Sequence, residues 1–193
     1  MSKEIKERPS VADLEQELHR VRYKKRYNTV LRSTVFTLIT VAAVAVLVAT
    51  LWLPVLQIYG SSMTPTLQDG EIIFSVKTAQ LERGDIVAFY YNNKILIKRV
   101  IGLPGDWVTL DSDGTVFVNN IPVDEPYITE KAFGETNIEL PYQVPEGKYF
   151  VMGDHRATSV DSRNTAVGCV GQEQIVGKIL FRIWPLEVIG IVS

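Results

Sequence analysis

The stretch VFTLITVAAVAVLVATLWL, Val35 to Leu53, decides how everything around it is read. It carries no charge, and as a helix rising 1.5 Å per residue its 19 residues reach roughly 29 Å, the hydrocarbon thickness of a bilayer. Trp52 falls where an interfacial aromatic belongs, and Pro54 ends the helix. A cleaved signal peptide would begin with a short basic region, whereas 34 mostly polar residues come first here. The small-x-small triplet Ala43-Val44-Ala45 lies inside the apolar run, not beyond it. A helix buried in a soluble core would show a polar stripe, which this run lacks. The expectation is an uncleaved single-pass transmembrane helix, with boundaries at 1–33, 34–56 and 57–193.

Charge around the anchor sets its direction. Arg20, Arg22, Lys24, Lys25, Arg26 and Arg32 crowd its N-terminal side, and no Lys or Arg comes after it until Lys77. The positive-inside rule then puts residues 1–33 in the cytoplasm and residues 57–193 outside. The first 33 residues hold nine Lys and Arg against five Asp and Glu, a net +4; with −2 for the whole chain, −6 is left for the remainder. An acidic outer region argues against nucleic acid as a partner. In the arm, Ser10 is placed to cap a short helix with Val11, Leu14, Leu18 and Val21 on one face. It reads as a juxtamembrane helix held by its basic end near anionic membrane lipid, with a cytoplasmic partner or coiled coil as the other reading. His19 lies here without assigned chemistry.

Beyond Leu67 the pattern turns to short β-like runs: Glu71 to Val76, Ile86 to Tyr91, Ile95 to Ile101, Trp107 to Leu110, Thr115 to Val118, Tyr149 to Met152 and Ile175 to Ile183. Asp113-Gly114 and Asn119-Asn120 are closely spaced turn dipeptides, as in a hairpin meander. Gly84-Asp85 and Leu103-Pro104-Gly105-Asp106 read as strand-ending turns. Val123 to Gln143 reads as a loop-rich insertion. The expected fold is mostly β. A single cysteine, Cys169, makes no intramolecular disulfide, and with two histidines no metal site can be built around it. Cys169 reads as a small buried side chain, and neither metal nor cofactor is expected.

Three blocks carry candidate chemistry: Gly60-Ser61-Ser62-Met63-Thr64-Pro65-Thr66-Leu67, Lys98-Arg99-Val100-Ile101-Gly102-Leu103-Pro104-Gly105-Asp106, and Gly153-Asp154-His155-Arg156-Ala157-Thr158-Ser159-Val160-Asp161-Ser162-Arg163. A serine needs a base, and a Ser-His-Asp triad is open only through His155. In this order behind an anchor, the blocks resemble the bacterial type I signal peptidase family, in its compact Gram-positive form. The resemblance covers about Tyr59 to Trp184. It implies a membrane-bound serine endopeptidase of the bacterial plasma membrane, with an extracytoplasmic β-sheet protease domain that cuts signal peptides from exported preproteins after small residues. By that match Ser62 is the nucleophile, Lys98 its general base, Ser159 the hydroxyl that orients the lysine, and Asp161 with Arg163 a brace for their loop.

A base at pH 7.4 must be neutral, and at an ordinary pKa near 10.4 only about one lysine in a thousand is. The apolar run Ile95-Leu96-Ile97 could supply the desolvation that lowers it, with Leu96 and Lys98 on one face and Arg99 on the other, where it could also repel the charged lysine. The first oxyanion donor would be the Ser62 N–H. Some family members have a second donor, a serine hydroxyl, where this chain has Gly60, which leaves that donor unassigned and points to close substrate approach at Gly60. Ser61 is the alternative nucleophile by composition. Met63, Pro65 and Leu67 read either as pocket lining or as packing of the nucleophile turn. His155 stands where the family often has Asn. Two other readings stay open: a non-catalytic membrane-tethered assembly factor, and a Ser–Lys peptidase for pilin maturation or self-cleavage.

Overall fold

In the computed structural model, residues 11–52, 54–78 and 80–192 are described. The Ser10 cap and Leu53 lie outside them. A helix, α1, runs Val11–Trp52 without a break. It therefore joins the expected short arm helix and the apolar run into one rod of roughly 63 Å, about twice a hydrocarbon layer. It is long and apolar enough to cross a membrane. Thr29, Thr34, Thr37 and Thr40 each donate a hydroxyl hydrogen bond to the carbonyl four residues back, at 2.9–3.0 Å. In hydrocarbon this bond satisfies a hydroxyl that water cannot reach.

The rest of the chain is β: β1 Val55–Gln57, β2 Ile72–Val76, β3 Ile86–Tyr91, β4 Lys94–Gly102, β5 Trp107–Leu110, β6 Val116–Val118, β7 Ile121–Pro122, β8 Tyr142–Gln143, β9 Lys148–Met152, β10 Val170–Gly171, β11 Ile175–Trp184 and β12 Gly190–Ile191. One sheet has the order β1-β2-β11-β3-β4-β9-β10, with β12 added to β11; a second runs β7-β6-β5-β8. All the pairings are antiparallel. Val55 and Leu56, expected at the end of the anchor, instead form β1 and pair with Phe74 and Ile73. Pro54 stops the helix and leaves the next residues free to extend.

The large sheet is buried on both faces around β3. Ile86 and Ala88 join one cluster with Ile58, Met63, Leu67, Ile73, Val176 and Ile179. Val87 and Phe89 join another on the opposite face, with Leu81, Val100, Val151 and Val170. The long strand β4 then passes through a bulge between Val100 and Gly102. Beyond it, Ile101 packs with Val108, Val116, Val118 and Phe150 into the core shared with the second sheet. Gly102 is required there: a Cβ would come within 2.8 Å of Val108. The segment between β7 and β8 is irregular, as expected.

Candidate active site

The turn between β1 and β2 is held from below. Ile58, Met63 and Leu67 are all buried in the first core cluster. The Leu67 N–H donates to the Met63 carbonyl at 2.9 Å, and the Thr64 hydroxyl donates to the Ser61 carbonyl at 2.8 Å. Gly60, at φ +93°, turns the chain into Ser61, and its N–H donates to Asp69 Oδ1 at 2.7 Å. With Met63 buried, Ser62 is left half-buried at a cavity edge, while Ser61 and Pro65 are exposed. Met63 both packs the turn and lines a cavity; Leu67 only packs.

Lys98 reaches Ser62 from β4. Its Nζ donates to Ser62 Oγ at 2.6 Å. Lys98 pairs with Val87 across the sheet, and so lies on the face of Leu96, Val87 and Val100. The side chain is 3 % exposed. Burial lowers its pKa from 10.5 to about 8, against the upward pull of the Asp161 and Asp154 carboxylates and with a downward push from Arg163. That shift is worth about 3 kcal/mol. It raises the neutral fraction at pH 7.4 to about a fifth. The repelling cation is thus Arg163. Arg99, the cation suggested by adjacency, points to the other face, where Asp154 neutralises it through Nε–Oδ1 (2.9 Å) and Nη2–Oδ2 (2.7 Å).

The third block wraps this pair. The His155 N–H donates to the Ser62 carbonyl at 3.1 Å. A Cβ on Gly153 would meet the Ser62 carbonyl oxygen at 2.5 Å and Ser159 Oγ at 2.2 Å, so only glycine lets the loop lie this close. Asp161 accepts from the Gly153 N–H (3.0 Å), from Arg163 Nε (2.9 Å) and from Arg163 Nη2 (2.9 Å). Both charges are fully buried, and the two side chains form a bidentate pair. Asp154 accepts the Thr66 hydroxyl at 2.6 Å as well as Arg99, which ties the 60–67 turn to the strand of Lys98. Neither role is legible in the sequence, because Thr66 and Asp154 lie 88 residues apart.

Ser159 departs from expectation. Its hydroxyl is buried but has no hydrogen-bond partner, and the Lys98 bond goes to Ser62 instead. The His155 ring bonds Thr158 Oγ1 through Nδ1 at 2.8 Å. Cys169 is half-buried, and burial pushes its pKa up to about 11, which suits a packing residue. Two cavities, of about 650 and 430 Å³, share Tyr59, Gly60, Ser62, Lys94, Leu96 and Lys98 in their walls. Between Lys94 and Lys98, β4 pairs only with β3; its pairing with β9 starts at Arg99. One strand edge beside Ser62 is therefore open.

The family described as "Signal peptidase, peptidase S26" matches residues 31–184. The chain belongs to this family. Signal peptidase IB of Staphylococcus aureus (strain Mu50 / ATCC 700699) is 42% identical over 150 residues, which is 67% of this chain and 77% of the relative. Signal peptidase I of Bacillus licheniformis is 42% identical over 141 residues, 66% of this chain and 75% of that one. A crystal structure of a signal peptidase I from Enterococcus faecalis V583 is 31% identical at a TM-score of 0.45, covering 53% of this chain and 98% of its own. The S26 membership makes the chain a signal peptidase hydrolase, and it favours an enzyme over an assembly factor.

Proposed function

We propose that this signal peptidase works with a Ser62–Lys98 dyad at an extracytoplasmic membrane surface. The observation that carries the reading is the 2.6 Å bond from a buried lysine to Ser62 Oγ. Neutral Lys98 takes the hydroxyl proton as Oγ attacks the scissile carbonyl. The Ser62 N–H donates to the oxygen that becomes negative. Collapse breaks the C–N bond, and the Lys98 proton passes to the leaving amine. Lys98, neutral again, takes a proton from water, whose oxygen attacks the ester. Collapse breaks the bond to Ser62 Oγ, which recovers the proton from Lys98, and the signal-peptide carboxylate is freed. Asp161 and Arg163 hold the loop behind the base. Ser159, whose buried hydroxyl has no partner, is proposed as the hydroxyl that orients Lys98.

The substrates are preproteins bearing signal peptides. The open edge from Lys94 to Lys98 supports binding of the cleavage region as an added strand, with alternate side chains in the flanking cavities. Gly60 leaves the approach to Ser62 clear, since nothing stands within 4 Å of where its Cβ would be.

Membrane lipid is the second partner. Helix α1 supplies a span, and its basic N-terminal flank supports a cytoplasmic N-terminus at the plasma membrane. A row of directly paired residues, Val55, Phe74, Phe181 and Ile191, crosses β1, β2, β11 and β12 on the face opposite Leu56 and Ile73. Ile191 is 81 % exposed, and Trp184, Leu186, Val188 and Ile189 are also exposed. An apolar sheet face this broad, beginning on the strand that comes directly after the anchor in the chain, suits lipid.

Cleavage of a fluorogenic Ala-x-Ala peptide in liposomes by wild type, Ser62→Ala, Lys98→Ala and His155→Ala tests the dyad. Loss in the first two variants with folding intact is expected. Activity surviving Lys98→Ala but not His155→Ala would name the histidine as base.

A further inference from the structure

Two buried carboxylates act on the charge of Lys98, and each is engaged by an arginine fork: Asp161 by Arg163, and Asp154 by Arg99. Both carboxylates favour the charged lysine, so the forks matter to a base that must be neutral. Other charged or titratable groups around Lys98 are few. The 153–163 loop adds His155 and Arg156, β3 adds Tyr90 and Tyr91 but no charged residue, the 60–67 turn adds none, and β4 itself adds Lys94 and Arg99.

The two forks are held differently. Arg163 is enclosed by carbonyls, donating to those of Phe133 (2.8 Å) and Arg156 (2.9 Å). Arg99 has one carbonyl, that of Gly84 at 2.8 Å, and its guanidinium carbon lies 3.8 Å from the centroid of the Tyr127 ring. A cavity of about 540 Å³ has both Arg99 and Tyr127 in its wall. The ring is itself fixed: the Tyr127 hydroxyl donates to Glu125 Oε1 at 3.0 Å, and Glu125 is paired with buried Arg156. Arg156 Nε in turn donates to the Gly153 carbonyl at 3.1 Å.

We infer that Tyr127 is a positioning residue for the hydrolysis: its ring holds the Arg99 guanidinium on Asp154, so that this carboxylate is engaged by Arg99 and Thr66 and not by Lys98. Without the ring, the cavity widens against Arg99, which already lines it, water weakens the fork, and Asp154 draws a proton onto the base. Both the freed charge and the added water act in the same direction. The inference rests on Lys98 being the base.

The test is the pH dependence of kcat/KM for full-length protein in liposomes, with the Ala-x-Ala peptide. Tyr127→Leu should move the acid limb up by about half a unit to one unit, which lowers activity at pH 7 about three- to tenfold and restores it to within about twofold at pH 10. Tyr127→Phe keeps the ring and loses only its Glu125 bond, so it should move the midpoint less than Tyr127→Leu does. Arg99→Lys, which cannot form the fork, should shift the limb in the same direction as Tyr127→Leu. A uniformly lower rate with an unmoved midpoint in Tyr127→Leu would overturn the inference. If Tyr127→Leu does not fold, an unmoved midpoint in Arg99→Lys does so. Lys98→Ala separates the two readings: activity with a normal acid limb in that variant sinks the dyad itself, whereas an inactive Lys98→Ala beside an unmoved Tyr127→Leu sinks only the role of Tyr127.

Discussion

Lys98 titrates near pH 8 because burial outweighs the attraction of Asp161 and Asp154. The acid limb of wild-type kcat/KM should therefore have its midpoint near pH 8 and not near 10.5. The same shift affects stability. An unfolded chain holds the lysine proton up to about pH 10.4, so between the two values the unfolded state binds more protons and stability rises with pH. Below pH 8 the full penalty of about 3 kcal/mol is present. Lys98→Met should thus be inactive yet melt higher than wild type at pH 7, with the gap closing toward pH 10.5; thermal unfolding at both pH values checks this. Ser159→Ala should cost less than about 1 kcal/mol, because the hydroxyl it removes has no partner.

Loop 153–163 is the element that assembles the site, and its tolerance to change should be low. Asp161→Asn leaves the buried Arg163 without its counter-charge, at a cost of about 3–5 kcal/mol. Denaturant unfolding should show that loss together with reduced activity. Gly153→Ala should impair catalysis, since the added Cβ meets the Ser62 carbonyl at 2.5 Å. Much of this element is legible in the sequence: Asp161 and Arg163 stand two residues apart, close enough to pair locally. The strands of four or more residues are legible too, through alternation and turn dipeptides. The short strands β1, β7, β8, β10 and β12, of two or three residues, are not, since their extended form comes from a partner and not from a period. Asn92-Asn93, with Asn92 at φ +51° in the β3–β4 turn, is the same dipeptide as Asn119-Asn120, a legible turn signal that went unread.

At the scale of the molecule, the proposed lipid face and the proposed anchor bear on one substrate problem, since a signal peptide is held in lipid. Leu186→Glu combined with Ile191→Glu should weaken turnover of a liposome-embedded preprotein severalfold while leaving a soluble peptide substrate nearly unaffected. Equal loss on both substrates would remove lipid as the occupant of that face. Topology is checked in intact cells with a membrane-impermeant maleimide. A cysteine at Glu15 should stay unlabelled and one at Asp113 should react. Native Cys169, half-buried with its pKa near 11, should contribute little signal.

Local pattern suffices for the span, the charge asymmetry across it and the β character of the chain beyond it. The pairing of Ser62 with Lys98 is an expectation from the family resemblance, and the structure sets the two side chains 2.6 Å apart. Tertiary structure was needed to establish that Lys98 is buried, which carboxylates and which arginine act on it, and that Thr66, Arg99, Tyr127 and Asp154 meet. Those contacts join residues distant in the chain across separate strands and loops. A lysine's pKa depends on everything that replaces water around it, and no single stretch of the chain encodes that surrounding.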